Sequence, residues 1–85
     1  QYLAVITKNG LWIKDTNDNK TLIINAAKVD KNELQSAFIS EFNSNYEIIR
    51  NIKSKKIDIT KKEWFIENAE IYVENNKIDE KKLYL

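Results

Sequence analysis

The sequence predicts an all-β fold, an antiparallel β-jellyroll or open β-sandwich. Three observations carry this expectation. Apolar and β-branched residues recur with a period of two over short runs. Clusters of Asn, Asp and Ser separate the runs. The runs follow one another at roughly one strand per 8–14 residues, the rhythm of consecutive hairpins.

Taken in order, residues 1–7 are apolar and read as a strand or a docked leading segment, and residues 11–15 and 21–29 read as strands. Residues 31–37 (KNELQSA) favour helix, with Asp30 as a cap. The short length and the following Phe38 and Ile39 argue for a turn instead. Over residues 34–42, Leu34, Phe38 and Phe42 share one parity, and Ala37 and Ile39 the other. Over residues 46–52, Tyr46, Ile48 and Ile52 fall on one face. Residues 64–73 (WFIENAEIYV) are rich in aromatic and β-branched side chains. The tail, residues 78–85, alternates weakly and fits a sixth or seventh strand. Turns are expected at 16–19, 43–45, 60–63 and 75–76. With one glycine and no proline in the chain, Asn and Asp are expected to take the left-handed positions and to bond to their own backbone.

Two runs lose phase midway. Ile48 and Ile52 are even, whereas Ile57 and Ile59 are odd; Trp64 and Ile66 are even, whereas Ala69, Ile71 and Val73 are odd. A one-residue shift of the apolar face predicts β-bulges near residues 54–56 and 67–68. Partial cover of both faces gives the same mixed parity.

Composition bounds the function. A chain of 85 residues makes one small domain, here 1–85, with a thin core. No linker or repeat divides it. The first residue is Gln1 rather than Met, so the domain is expected to be excised from a longer chain. Net charge is +1, which supplies no global field toward nucleic acid or anionic membrane. Lys53, Lys55 and Lys56, beside Arg50, read as a solvated strand face.

The chain has no cysteine and no histidine, so disulfides, thiolate metal sites and a histidine base are excluded. Ser36, Ser40, Ser44 and Ser54 have no base in their sequence context, and Glu63, Glu67, Glu70 and Glu74 stand at solvent-type positions. One glycine cannot build a phosphate-cradling loop. No catalytic residue, metal or cofactor is expected, and the chain reads as a non-enzyme.

Two binding readings remain from the residues themselves. An OB-like nucleic-acid module would use Lys53, Lys55 and Lys56 on phosphates, and Trp12, Phe38 or Tyr46 for stacking. Balanced charge, and Glu41, Glu47, Asp58, Glu63, Glu67 and Glu70 in the same region, argue against nucleic acid. The other reading is an apolar groove between sheets, although a stripe of alternating isoleucines is far more often core than ligand slot.

The order of motifs resembles the periplasmic domain of the LptF/LptG family of lipopolysaccharide-export permeases. Gly10-Leu11-Trp12-Ile13-Lys14-Asp15 resembles its GLW-x-[KR]-[DE] opening, the LptG form of it. Ile23-Ile24-Asn25 with Lys28-Val29 is similar to the family's second strand. Leu34-x-x-Ala37-x-Ile39-x-Glu41-Phe42-Asn43 resembles L-x-x-V-x-I-x-x-F-[DN]. Ile49-Arg50-x-Ile52-x-Ser54-x-x-Ile57 resembles the strand with small or apolar residues three apart. Trp64-x-Ile66-x-Asn68-Ala69 resembles W-x-L-x-[DN]-[VA]. Together these cover residues 9–73. Ser54 and Ile57 depart from the alanines common there.

The resemblance implies a β-jellyroll of the LptA/LptC type, inserted in an inner-membrane permease of a Gram-negative bacterium and lying in the periplasm. It implies pairing of an edge strand with an LptC-like jellyroll. A paralogous permease subunit and an LptB-like ATPase would associate through the membrane part. It also implies that lipopolysaccharide acyl chains slide along the interior, for which Ile24, Ala37, Ile39, Ile52, Ile57, Ile66 and Ala69 are the expected groove residues. The alternative is a closed β-sandwich that docks an envelope partner by its edges without touching lipid.

Overall fold

Short alternating runs joined by tight turns fold as successive hairpins, because each strand finds its partner at the least loop-closure cost. The structure, a computed structural model, describes residues 2–17 and 19–85, with every side chain among them except that of Tyr2. Seven strands follow in order: β1 (Tyr2–Thr7), β2 (Gly10–Thr16), β3 (Lys20–Asp30), β4 (Glu33–Asn43), β5 (Ile48–Asp58), β6 (Phe65–Val73) and β7 (Asn76–Tyr84). Each pairs antiparallel with its sequence neighbours in one open sheet ordered β1 to β7, and no helix occurs among the described residues. The all-β expectation therefore holds, and the architecture is consistent with an open sandwich or jellyroll-like fold. It is not the closed five-stranded barrel of an OB-like module.

Several local expectations change. Residues 31–37 are neither helix nor mainly turn: only Lys31 and Asn32 turn, and Glu33 already pairs with Asp30 and Asp58. The tail is the seventh strand, and residues 2–7 form the first. Tyr46 lies in the β4–β5 turn rather than on a strand face, and Ile48 is exposed.

The turns use Asn and Asp as acceptors. Asn17 Oδ1 accepts from the backbone N–H of Asn19 and Lys20, Asn43 Oδ1 from Asn45 and Glu47, and Asp58 Oδ1 from Thr60. The left-handed turn positions, however, fall to Lys31, Tyr46 and Glu74. In the two-residue turns Lys31-Asn32 and Glu74-Asn75 the first central residue must have positive φ whatever its type, because that twist matches the strands.

The phase losses have a different cause from the expected bulges. A bulge adds a residue to one strand and shifts the register. Here the register continues unbroken across the change: Gln35 pairs with Lys56 and Ala37 with Ser54, while Lys53 pairs with Glu70 and Lys56 with Glu67. Neighbouring strands slip their inward face together. Positions skipped by the ladders line up across the sheet as Ala27–Ser36–Lys55–Asn68–Lys81, with Ser54 and Ala69 also skipped between β5 and β6, and Gly10 stands at the β2 end of the line. This line is a crease. Gly10 (φ 108°), Ser36 (φ 52°) and Asn68 (φ 51°) have positive φ along it. A Cβ on Gly10 would lie 2.2 Å from the Ala26 carbonyl oxygen, so only glycine fits there. A true register shift does occur elsewhere, between Glu41 and Phe42, where Ile49 is the extra residue opposite.

The crease doubles the sheet over. Two stacked sheet layers lie about 10 Å apart, and the smallest dimension of this molecule, 25 Å, has room for both. At the margin away from the crease, Asp15, Asn17, Lys20 and Leu22 share a recess with Lys62, Trp64 and Leu85, so the β2–β3 margin faces the β6–β7 margin across it. Trp64 and Leu85 exchange both backbone hydrogen bonds, at 3.0 and 2.9 Å, and so extend the β6–β7 ladder to this margin.

Candidate functional site

Pairing register sorts the inward residues into rows that run across the strands. The first row is Ala4–Ile13–Ile24–Ile39–Ile52–Ile71–Ile78, one aliphatic residue from every strand. Beside the crease runs a row of small residues, Ala26–Ala37–Ser54–Ala69. Small side chains are needed there because the doubled sheet closes most sharply at its spine. Beyond the crease comes Val29–Leu34–Ile57–Ile66–Leu83. Folding along the crease brings Ile13, Ile24, Ile39, Ile52 and Ile71 of the first row and Leu34, Ile57, Ile66 and Leu83 of the third into one core, while Ala4, Ile78 and Val29 at the row ends stay exposed.

The seven residues expected from the sequence all point into this interior. Ile24, Ile39 and Ile52 belong to the isoleucine row, Ala37 and Ala69 to the small row, and Ile57 and Ile66 to the opposed row. Their exposures are 0% for the five isoleucines, 4% for Ala37 and 1% for Ala69. The five isoleucines are closed off from solvent, whereas Ala37 also lines the recess at the crease. Ile13, Leu22, Ala26, Leu34 and Ile71 belong to the same core and were not singled out. Counting pairs outward from each hairpin turn would have found them.

Two polar features sit in this apolar setting. Ser54 Oγ lies 2.9 Å from the Lys56 carbonyl and 2.8 Å from that of Glu67, and accepts from the Lys56 N–H at 3.2 Å. The hydroxyl thus stitches β5 to β6 where the ladder is interrupted, and no base accompanies it. Further from the crease, Glu41 turns inward beyond Ile39 and is buried. Arg50 opposite donates Nε–H to Glu41 Oε1 at 2.8 Å. Paired in this way, the carboxylate lies beside the aliphatic row without an uncompensated buried charge.

The two edges of the sheet differ. β1 carries no Asp, Glu, Lys or Arg, and Leu3, Val5 and Ile6 are 60%, 57% and 83% exposed. β7 carries Lys77, Asp79, Glu80, Lys81 and Lys82. At that end Tyr72 donates to Glu70 Oε1 at 2.8 Å, and Lys77 lies 3.9 Å away. The hydrogen bond, and then the Lys77 charge, hold the Glu70 carboxyl below its ordinary value; the same bond raises the Tyr72 phenol. Thr60 lowers Asp58 in the same manner.

At the crease is an open recess of about 620 Å³, lined by Ala37 and Ser54 of the small row and by Phe38, Lys53, Lys56 and Glu67. Among the described residues no group of His, Cys, Asp and Glu is placed to hold a metal ion, and no helix is long and apolar enough to cross a membrane. Comparison with protein-family models, with curated proteins and with solved structures finds no match to this chain.

Proposed function

We propose that this chain is the periplasmic jellyroll of a lipopolysaccharide-export permease of the LptF/LptG type, a non-enzymatic module that passes lipopolysaccharide from the inner membrane to a neighbouring jellyroll. One observation supports it above the others: a single open sheet, doubled over an aliphatic row that is buried from β2 to β6, with an uncharged strand unpaired at one end. Acyl chains need contact without direction, at roughly 25 cal/mol per Å² of apolar surface buried, and an aliphatic row supplies it at every step. The free N–H and C=O groups of β1 offer a further strand the same ladder that β2 uses. Energy input and the membrane path belong to partner subunits in this reading.

A second reading has its own support. The solvent exclusion of Ile24, Ile39, Ile52, Ile57 and Ile66 fits a closed docking module that pairs by its edge and takes no lipid inside.

Photo-crosslinking amino acids at Ile39, Ile52 and Ile66 test the first reading in cells that make the whole protein. Lipopolysaccharide adducts at these positions, with none at the outward Glu47 and Asp79, are the expected result. Adducts at the outward positions alone would refute the conduit. Absence of lipopolysaccharide adducts throughout, in variants that fold by circular dichroism, would leave the docking reading standing.

A further inference from the structure

We propose that the outer face of β1–β4, on the β1 side of the crease, is a contact surface for an anionic lipid bilayer. The inference stands on the outside of the sheet and does not depend on lipid entering the interior.

Register places two outward rows side by side, Leu3–Lys14–Ile23–Ser40 and Val5–Trp12–Asn25–Phe38. Leu3, Val5, Trp12, Ile23 and Phe38 are all exposed large apolar residues, with Trp12 and Phe38 each 41% exposed. No Asp or Glu occupies an outward position of β1–β4 in this half of the sheet. Its only charge is Lys14, and the second row runs on to Lys53 on β5, with Lys55 and Lys56 next along the strand. None of these four lysines forms an ion pair among the described residues. Across the β5–β6 ladder Glu70 stands opposite Lys53 and Glu67 opposite Lys56, and Glu70 is already held by Tyr72 and Lys77.

A contiguous apolar face of this kind is uncommon on a soluble domain and calls for a partner. Its chemistry selects which one. Leu3, Val5 and Ile23 offer bases nothing to stack on but partition readily at an acyl boundary. Tryptophan prefers the lipid–water interface, and unpaired lysines at the border meet lipid phosphates. An acid-free face with a lysine border therefore complements a negative membrane surface.

The test uses the 85-residue chain with vesicles of phosphatidylglycerol and phosphatidylcholine, read by co-sedimentation and by tryptophan emission. Binding to the mixed vesicles, with a blue shift that disappears in Trp12→Ala, is expected. The triple variant Lys53→Gln, Lys55→Gln, Lys56→Gln, whose exposed sites leave the fold intact, is expected to bind roughly a hundredfold more weakly, since each lysine near the surface contributes about 1 kcal/mol. Equal binding to pure phosphatidylcholine, no binding at all, or undiminished binding by the triple variant would overturn the proposal. So would a lipid-free dimer that shields Trp12, or binding to single-stranded oligonucleotides tighter than to the vesicles.

Discussion

The first and last strands of the sheet meet the same problem with opposite chemistry. Each leaves one side of its backbone without a partner, and a bare edge invites further strands. β7 answers with five charged side chains among nine residues, including Lys81 where the crease ends. β1 offers YLAVIT, with no charge and with apolar side chains exposed on both faces. An edge protected at one end only gives the sheet a direction: strands can add beyond β1 and are repelled beyond β7. The crease shows the same asymmetry. At the β2 end it depends on a glycine that nothing can replace, and toward β7 it passes through Asn68, a polar residue that tolerates the left-handed region.

Gly10→Ala attacks that asymmetry most directly. The new Cβ meets the Ala26 carbonyl, and φ is already 108°. A loss of about 3 kcal/mol or more is expected, because β2 must move off β3 to relieve the contact. Thermal melting would fall by roughly 12 °C or more for a domain of this size. A melt within a few degrees of the parent would mean that the crease at the β1 end is as pliable as at the other.

Ser54→Ala probes the middle of the crease, shared by both ends. It leaves the Lys56 N–H without its side-chain acceptor and frees the Lys56 and Glu67 carbonyls. The expected cost is about 1–3 kcal/mol by denaturant titration. Ser54→Thr, which keeps the hydroxyl, should recover part of it.

Much of this was legible in the residues. The strands, the membership of Ile24, Ile39, Ile52, Ile57 and Ile66 in the interior, and the points where the face changes were all readable from alternation. What alternation cannot show is whether a neighbouring strand changes face in step. The shifts at Ser54–Lys56 and at Glu67–Asn68 therefore read as separate bulges, although they are one crease crossing paired strands. The bonding role of Asn17, Asn43 and Asp58 was readable because an Asx side chain reaches its own backbone. The left-handed positions of Lys31 and Glu74 were not, because hairpin geometry assigns them by place rather than by residue type. The interior row was visible as a list of isoleucines, but its closure was not, since a core and a ligand slot use the same side chains.

Glu74→Gly sharpens the comparison from the β7 side. Glu74 holds φ 55° at the first central position of the β6–β7 turn. Glycine removes that strain and should stabilise by about 1 kcal/mol, seen as a higher denaturant midpoint with an unchanged slope. The same type of exchange is thus expected to change sign between the two ends, since glycine is lost at position 10 and gained at position 74. Ile6→Lys on β1 should alter stability by only about 0.5 kcal/mol, because the side chain is already solvated. It should nevertheless suppress any concentration-dependent association seen by sedimentation velocity. Association that persists would place the sticky surface elsewhere than the β1 edge.

The smallest expected effect is a pH signature confined to the β7 end. Tyr72 donates to Glu70, and the bond lowers the carboxyl and raises the phenol. For the lowered carboxyl, the stabilisation is present above the ordinary value of 4.5 and is lost as pH falls through the lower folded value. For the raised phenol, it is present below the ordinary value of 10.0 and is lost as pH rises through the higher folded value. The bond therefore contributes fully between those two limits and fades outside them. Both groups are half-buried at the sheet surface, so solvent still screens part of the contribution. Tyr72→Phe should narrow its melting difference from the parent toward both pH extremes, and ultraviolet titration should find one phenol ionising late in the parent alone. A melting difference that stays constant from acid to alkali would show that Tyr72 acts through packing and that its bond to Glu70 is incidental.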